Sequence, residues 1–200
     1  MSDEVPTVSI SYSDMCCLVG KTVPMEQLKD SLFLLKCEVE AFSDDELMVE
    51  VTSDRPDLLS TEGMAREMRG FLGFEKGLIS YSVGRSDVVL RVDPSVRSIR
   101  PFISSALLRD VTLSDEAVRQ IMQLQEKLHL TYCRNRRKVS IGVHDIDKVA
   151  HNITYAGMEP EKISFVPLDE TREMNGNEIL KLTSKGREYA FILEGLPKYP

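Results

Sequence analysis

The sequence predicts an α+β protein built in two parts. Three observations lead there. Helical periodicities and short β-rich runs come in mixed order, without regular βαβ alternation. Residues 74–86 mix Gly, Ser and isolated apolar residues and read as a linker. Charge also changes along the 200 residues: positions 1–93 carry a net −9 and positions 94–200 a net +2. The expected architecture is a small N-terminal α/β domain, residues 1–86, followed by a mixed α+β region, residues 87–200.

Taken in order, residues 7–10 read as a strand. Ser13 caps a short helix to Leu18, which Gly20 ends. Pro24 suits a first helical position. After it Met25, Leu28, Leu32 and Leu35 recur at helical spacing, with Phe33 and Leu34 widening the stripe. Residues 38–42 and 47–51 read as strands joined by the turn residues Ser43, Asp44 and Asp45. Ser60 is a good N-cap for a helix to Leu72, with Met64, Met68, Phe71 and Leu72 on one face and Gly73 at its end.

Beyond the linker, residues 87–92 and 102–108 read as strands. Ser114 caps the strongest helix, where Val118, Ile121, Met122, Leu124, Gln125, Leu128 and Tyr132 follow the 3.6 period. Asp115 and Glu116 favour its first turn and the basic run 134–138 its end. Residues 138–143 and 163–166 read as strands, and 176–182 and 186–193 as short helices. No closing element follows Gly195, so the ending reads as a cut inside a domain.

Composition excludes several classes. No apolar run approaches the roughly 20 residues that span a bilayer. Positions 1–6 are acidic and lack the apolar core of a secretory signal. Cys16, Cys17, Cys37 and Cys133 show no C-x-x-C spacing and are too few for a disulfide scaffold, which implies a reducing, cytoplasmic setting. The same spacing argues against a metal site. An acidic chain is not drawn to nucleic acid by its global field, so any RNA contact must be local. The one dense basic cluster is Arg134, Asn135, Arg136, Arg137 and Lys138. Glu26, Asp30, Glu38 and Glu40 read as a solvated acidic face. His129 falls on the long helix and His151 in a loop, neither with an evident partner. There is no phosphate-binding Gly-rich loop and no nucleophile elbow.

Four segments in order carry a family resemblance. They are Asp54-Arg55-Pro56-Asp57-Leu58-Leu59-Ser60 with Glu62-Gly63 and Ala65-Arg66; Ile99-Arg100-Pro101-Phe102; Leu124-Gln125-Glu126-Lys127-Leu128-His129 with the basic run and Ser140-Ile141-Gly142-Val143-His144-Asp145-Ile146-Asp147; and Phe165-Val166-Pro167-Leu168 with Thr171-Arg172-Glu173-Met174. In these the chain resembles the N-terminal part of the phenylalanine-tRNA ligase beta subunit of the archaeal and eukaryotic type. The family's first motif usually begins with Asn, where this chain has Asp54.

The resemblance implies an α2β2 heterotetramer that joins phenylalanine to its tRNA using ATP and Mg2+. The synthetic site would lie on the alpha subunit, and ATP and Mg2+ would bind outside these residues. Neither DNA nor a membrane is implied as a partner. Residues 87–200 would begin a tRNA-binding editing domain, incomplete at its C-terminal end, that hydrolyses tyrosine misattached to the phenylalanine tRNA. The chemistry explains the need, because an apolar pocket rejects an added hydroxyl only about a hundredfold.

Bacterial relatives place a His, two residues and an Asp at a comparable position in the editing pocket, which makes His144 and Asp147 the candidate catalytic pair. A neutral imidazole can position water, and Asp147 can hold its tautomer. The plainer reading is that this segment ends a strand and caps a turn. Arg134, Arg136, Arg137 and Lys138 are the candidate tRNA-binding residues, against a solvated basic helix end. The Asp54–Asp57 signature reads as structural, with Arg55 pairing a carboxylate. Two alternatives stay open: a free-standing trans-editing hydrolase, and a non-catalytic module that binds RNA or protein.

Overall fold

A computed structural model describes residues 5–149 and 152–200. In chain order the elements are β1 (Thr7–Ser11), α1 (Tyr12–Val19), α2 (Met25–Leu34), β2 (Cys37–Ser43), β3 (Glu46–Val51), α3 (Thr61–Phe71), β4 (Val89–Val92), α4 (Asp115–Leu130), β5 (Asn152–Tyr155), β6 (Ser164–Phe165), β7 (Met174–Asn175), α5 (Gly176–Leu182) and α6 (Ser184–Tyr189). His151 lies outside the described residues. The mixed helices and sheets agree with the α+β class.

The chain forms two compact units. The first joins residues up to Ser82 with Val111–Gly142; the second joins Val83–Asp110 with Val143–Pro200. A single cut near residue 86 would leave α4 with the second part, whereas its side chains bond to β1 and α3 in the first.

The first unit is built on an antiparallel sheet in the order β1-β3-β2. Alternation explains it: Val8 and Ile10 on β1 and Leu47, Val49 and Val51 on β3 all turn to one buried face. Their register pairs Val8 with Val49 and Ile10 with Leu47. Asp44, at a φ of 52°, makes the tight connection from β2 to β3. Helices α1, α2 and α3 fill the covered face with Met15, Val19, Leu28, Leu32, Met64 and Met68.

Two local expectations change here. Ser11, not Ser13, caps α1: its hydroxyl accepts from the Asp14 N–H. Ser13 instead donates to Asp45. On α2, Leu28, Leu32 and Leu35 are buried but Phe33 and Leu34 are two-thirds exposed. Each residue turns the helix by about 100°, which carries them off the core face.

Helix α3 starts as expected, with the Ser60 hydroxyl accepting from the Gly63 N–H. Phe71, however, is exposed. Gly63 is where α3 rests on the preceding 3-10 turn, Pro56–Leu58. A Cβ there would lie 2.0 Å from the Asp57 carbonyl oxygen.

Helix α4 departs most from its pattern. Ser114 caps it, accepting from the Ala117 N–H. Yet Val118 and Met122 are exposed, while Gln120 and His129 are its fully buried side chains. Leu124 and Leu128 reach the core only in part. The reason is a polar docking face. The Gln123 side-chain amide donates to the Ser9 carbonyl at 2.9 Å, and its oxygen accepts the Ser9 N–H at 3.1 Å. Thr61 donates to the buried Gln120 oxygen at 3.2 Å.

The second unit is lighter. β4 and β5 pair in parallel, and β6 and β7 antiparallel. Val96 and Met174 are buried, and the Tyr155 hydroxyl donates to the Arg100 carbonyl at 2.9 Å. Residues 102–108, expected as a strand, are irregular, and Phe102 and Leu108 are exposed. Residues 138–143 likewise form no strand. α5 has the expected bounds, capped by Asn175 and Glu178 in a reciprocal box. The next helix is Ser184–Tyr189 followed by a 3-10 turn, Ala190–Ile192.

Gly63→Ala forces backbone against backbone and is expected to cost about 1–3 kcal/mol, a fall in Tm of several degrees. Gly70→Ala, whose Cβ meets nothing within 4 Å, is the control on the same helix. It is expected to hold or raise Tm.

Candidate nucleic-acid interface

The basic run forms a tight turn at the end of α4. Arg134, Asn135 and Arg136 are consecutive residues at positive φ, 52°, 52° and 61°. Three left-handed non-glycine residues cost on the order of 1–2 kcal/mol each, so the turn needs support. The backbone supplies part: Arg134 N–H donates to the Thr131 carbonyl, Arg136 N–H to that of His129, and Lys138 N–H to that of Cys133.

Side chains supply the rest, and they divide the four expected phosphate ligands. Arg136 is largely buried and donates to Glu126 at 2.8 Å, so its charge is used within the fold. Lys138 lies 4.3 Å from the Tyr132 ring centroid. Arg134, Arg137 and Lys138 are exposed. Their charges sit together on one short turn.

His129 escapes the sequence reading. Its ring is 2% exposed, and Nε2 accepts the Ile141 N–H at 2.8 Å. Nδ1 is buried without a hydrogen bond, with Glu126 Oε2 at 3.9 Å. Burial, reinforced by Arg136, pushes the imidazole below its ordinary pKa. At about 100° per residue Gln120 and Gln123 lie off the apolar stripe of α4, whereas His129 falls inside it, between Val118 and Met122 in projection. The one available signal was that the side turned away from the stripe offers Gln120 and Gln123 beside its charged residues.

In the second unit, His144 and Asp147 are both exposed. No hydrogen bond joins them among the described residues. Asp145 is the local organiser instead: its carboxylate accepts the Asp147 N–H at 3.1 Å and caps the turn Ile146–Lys148. The structure therefore shows the turn-capping role for this segment, and it does not bring the candidate pair together.

The Asp54–Asp57 signature is an ionic brace. Arg55 meets both Asp57 oxygens, reaches Glu67 at 3.4 Å and donates to the Leu35 carbonyl at 3.3 Å. Its hydrogen bonds hold the Asp57 carboxyl below the usual range. Asp54, paired with Lys36, is lowered to about 2. Across from the brace, Asp57, Ser60 and Arg66 face Gln120 and Leu124 over a cleft of about 440 Å³. No His or Cys lines it. The four cysteines are free, and burial pushes Cys37 up to about 11. Among the described residues no three His, Cys, Asp or Glu side chains are grouped to hold a metal ion. No helix of the described residues is long and apolar enough to cross a membrane.

No family model matches the chain. Curated relatives do. It is 43% identical over 196 residues to the phenylalanine–tRNA ligase beta subunit of Archaeoglobus fulgidus, covering 98% of this chain and 35% of that one. It is 40% identical over 201 residues to the beta subunit of Thermococcus kodakarensis, again covering 98% and 35%. Among solved structures it matches an N-terminal fragment of the phenylalanyl-tRNA synthetase beta subunit from Pyrococcus horikoshii. The TM-score is 0.91 at 36% identity, over 98% of this chain and 57% of that fragment. These likenesses place the chain first among aminoacyl-tRNA synthetase subunits. It belongs to the phenylalanine–tRNA ligase beta subunit family. The chain spans about a third of the length of the curated relatives it matches.

The brace makes a structural prediction. Arg55→Ala is expected to lower Tm by a few degrees, and Arg55→Lys to rescue little, because an ammonium cannot reproduce the fork. Asp57 is depressed when folded, so its contribution is present above the ordinary carboxylate value of about 4 and lost as pH falls below it. Thermal unfolding at pH 7 and pH 3 should therefore show a smaller gap between Arg55→Ala and the parent at pH 3.

Proposed function

We propose that this chain forms part of a cytoplasmic beta subunit that works with an alpha subunit, as an α2β2 enzyme, to charge the phenylalanine tRNA. The observation that carries this is similarity along 98% of the chain to beta subunits, supported by a solved N-terminal fragment. The tRNA is the partner of the basic turn: Arg134, Arg137 and Lys138 meet its phosphates, and Arg136 shapes the turn. No step through ATP or Mg2+ is drawn on the residues described here; that chemistry belongs to the alpha subunit in this reading.

The second unit, which holds most of residues 87–200, begins an editing domain for tyrosyl-tRNA. An aminoacyl ester is already activated, so hydrolysis needs mainly an oriented water and support for the oxyanion. His144 is exposed and free to approach such an ester, and its neutral imidazole can accept a proton from that water. Asp147, held by Asp145 through its backbone, orients the imidazole only if the loop closes on bound tRNA.

Two measurements test the two halves. Replacing Arg134, Arg137 and Lys138 by Gln in the assembled enzyme is expected to reduce the slope of log K against log salt for tRNA binding by about 2. An unchanged slope removes the turn from the interface. His144→Ala is expected to slow deacylation of tyrosyl-tRNA by about a hundredfold or more while aminoacylation continues. Unchanged deacylation removes His144 from the mechanism.

A further inference from the structure

We infer that His129 is the positioning residue of the basic turn: its neutral, Nδ1-protonated imidazole clamps the Ile141 backbone and so holds residues 134–141 against the end of α4. For tRNA binding this rests on the reading that the turn meets phosphates.

The geometry assigns the proton. Ile141 N–H donates to Nε2 at 2.8 Å, so Nε2 must present a lone pair and the neutral ring carries its hydrogen on Nδ1. The same residue holds the turn a second way, since its carbonyl accepts the Arg136 N–H at 3.2 Å. One position on α4 thus grips both the middle and the far side of a loop with three left-handed residues. Such a backbone persists only where its surroundings over-determine it.

The clamp works in one protonation state. Adding a proton to Nε2 sets donor against donor, and the bond to Ile141 is lost. The charged groups that act on the ring are Glu126 on its own helix and Arg136 on the turn. Glu126 favours the imidazolium but is already engaged by Arg136 at 2.8 Å. Burial and the Arg136 charge oppose protonation. A histidine lowered on folding contributes stability above its ordinary value near 6.5, and loses it as pH falls through the folded value. The turn is therefore set at neutral pH and released by acid.

The test is nuclear magnetic resonance on the 200-residue chain with labelled histidine, at pH 7.5 and stepwise to pH 5. His129 is expected as the Nδ1–H tautomer, with Nε2 unprotonated and the Ile141 amide protected from exchange until the ring titrates. An Nε2–H tautomer, or an Ile141 amide that exchanges freely at pH 7.5, overturns the inference. Two variants follow. His129→Gln keeps an acceptor at similar reach without titrating, so Ile141 protection should survive from pH 7.5 to pH 5. His129→Leu keeps bulk without an acceptor, so Ile141 should exchange at least about tenfold faster while the β1–β3 amides stay protected. Protection unchanged in His129→Leu also overturns the inference. In the assembled enzyme, His129→Leu should weaken tRNA binding severalfold at low salt, and His129→Gln should not. If removing the turn's charges weakens binding but His129→Leu does not, the positioning role is refuted. If removing the charges changes nothing, the tRNA reading falls, and the clamp is judged on Ile141 alone.

Discussion

The pair of hydrogen bonds between the Gln123 side chain and the Ser9 backbone is the contact on which the docking of α4 depends. Strand β1 is an edge, paired with β3 on one side only. Its outward N–H and carbonyl at Ser9 would otherwise face water or another chain's strand. Gln123 satisfies both with one amide, as a neighbouring strand would. In doing so it returns a helix, after an excursion of nearly thirty residues through the second unit, to the sheet where the chain began. Apolar packing sets the sheet and α1 to α3; a polar stitch sets α4.

In the proposed reading that difference bears on tRNA binding, because α4 carries the basic turn. A helix docked on a greasy stripe tolerates small slips, since dispersion and burial are non-directional. A helix docked through an amide and a buried glutamine has one register. Thr61 on Gln120 and Ser9 on Gln123 mark that register within one turn, and Ile141 on His129 ties the following loop to the end of the helix. The positive charges of the turn are then presented in one arrangement, so less conformational entropy is lost on meeting a phosphate backbone. In that reading a net acidic chain needs such local order, since long-range attraction would not bring RNA to it.

Much of the first unit was legible because burial there is apolar and periodic. The alternation of Val8 and Ile10 and the spacing of Leu28 and Leu32 both map to the core. Caps were legible at Ser60 and Ser114, though at α1 Ser11 takes the role expected of Ser13. That Arg55 pairs with a carboxylate was legible; that the carboxylates are Asp57 and Glu67 depends on the fold. What the pattern hid was polar burial. Val118 and Met122 looked like a core stripe on α4 but are exposed; Gln120, on the opposite side, is buried, and so is His129, which projects between Val118 and Met122 and bonds Ile141 of the loop that follows the helix. Residues 102–108 and 138–143 are β-rich but pair with no strand among the described residues, and they are irregular. The basic run was visible as charge, yet its left-handed backbone and the separate task of Arg136 depend on long-range partners. His144 and Asp147 have the spacing of a pair, but Asp145 captures the Asp147 backbone and leaves the side chains apart.

The most direct test of this account is native-state hydrogen exchange across α4 and the β1–β3 sheet, read amide by amide in increasing denaturant. If the polar stitch makes α4 part of the first unit, its central amides and the Ser9 amide will open together with the sheet, at one common free energy. If α4 opens well before the sheet, with Ser9 exchanging at the rate of an uncovered edge, then Gln123 is a surface contact. The positioning of the basic turn would then need another cause.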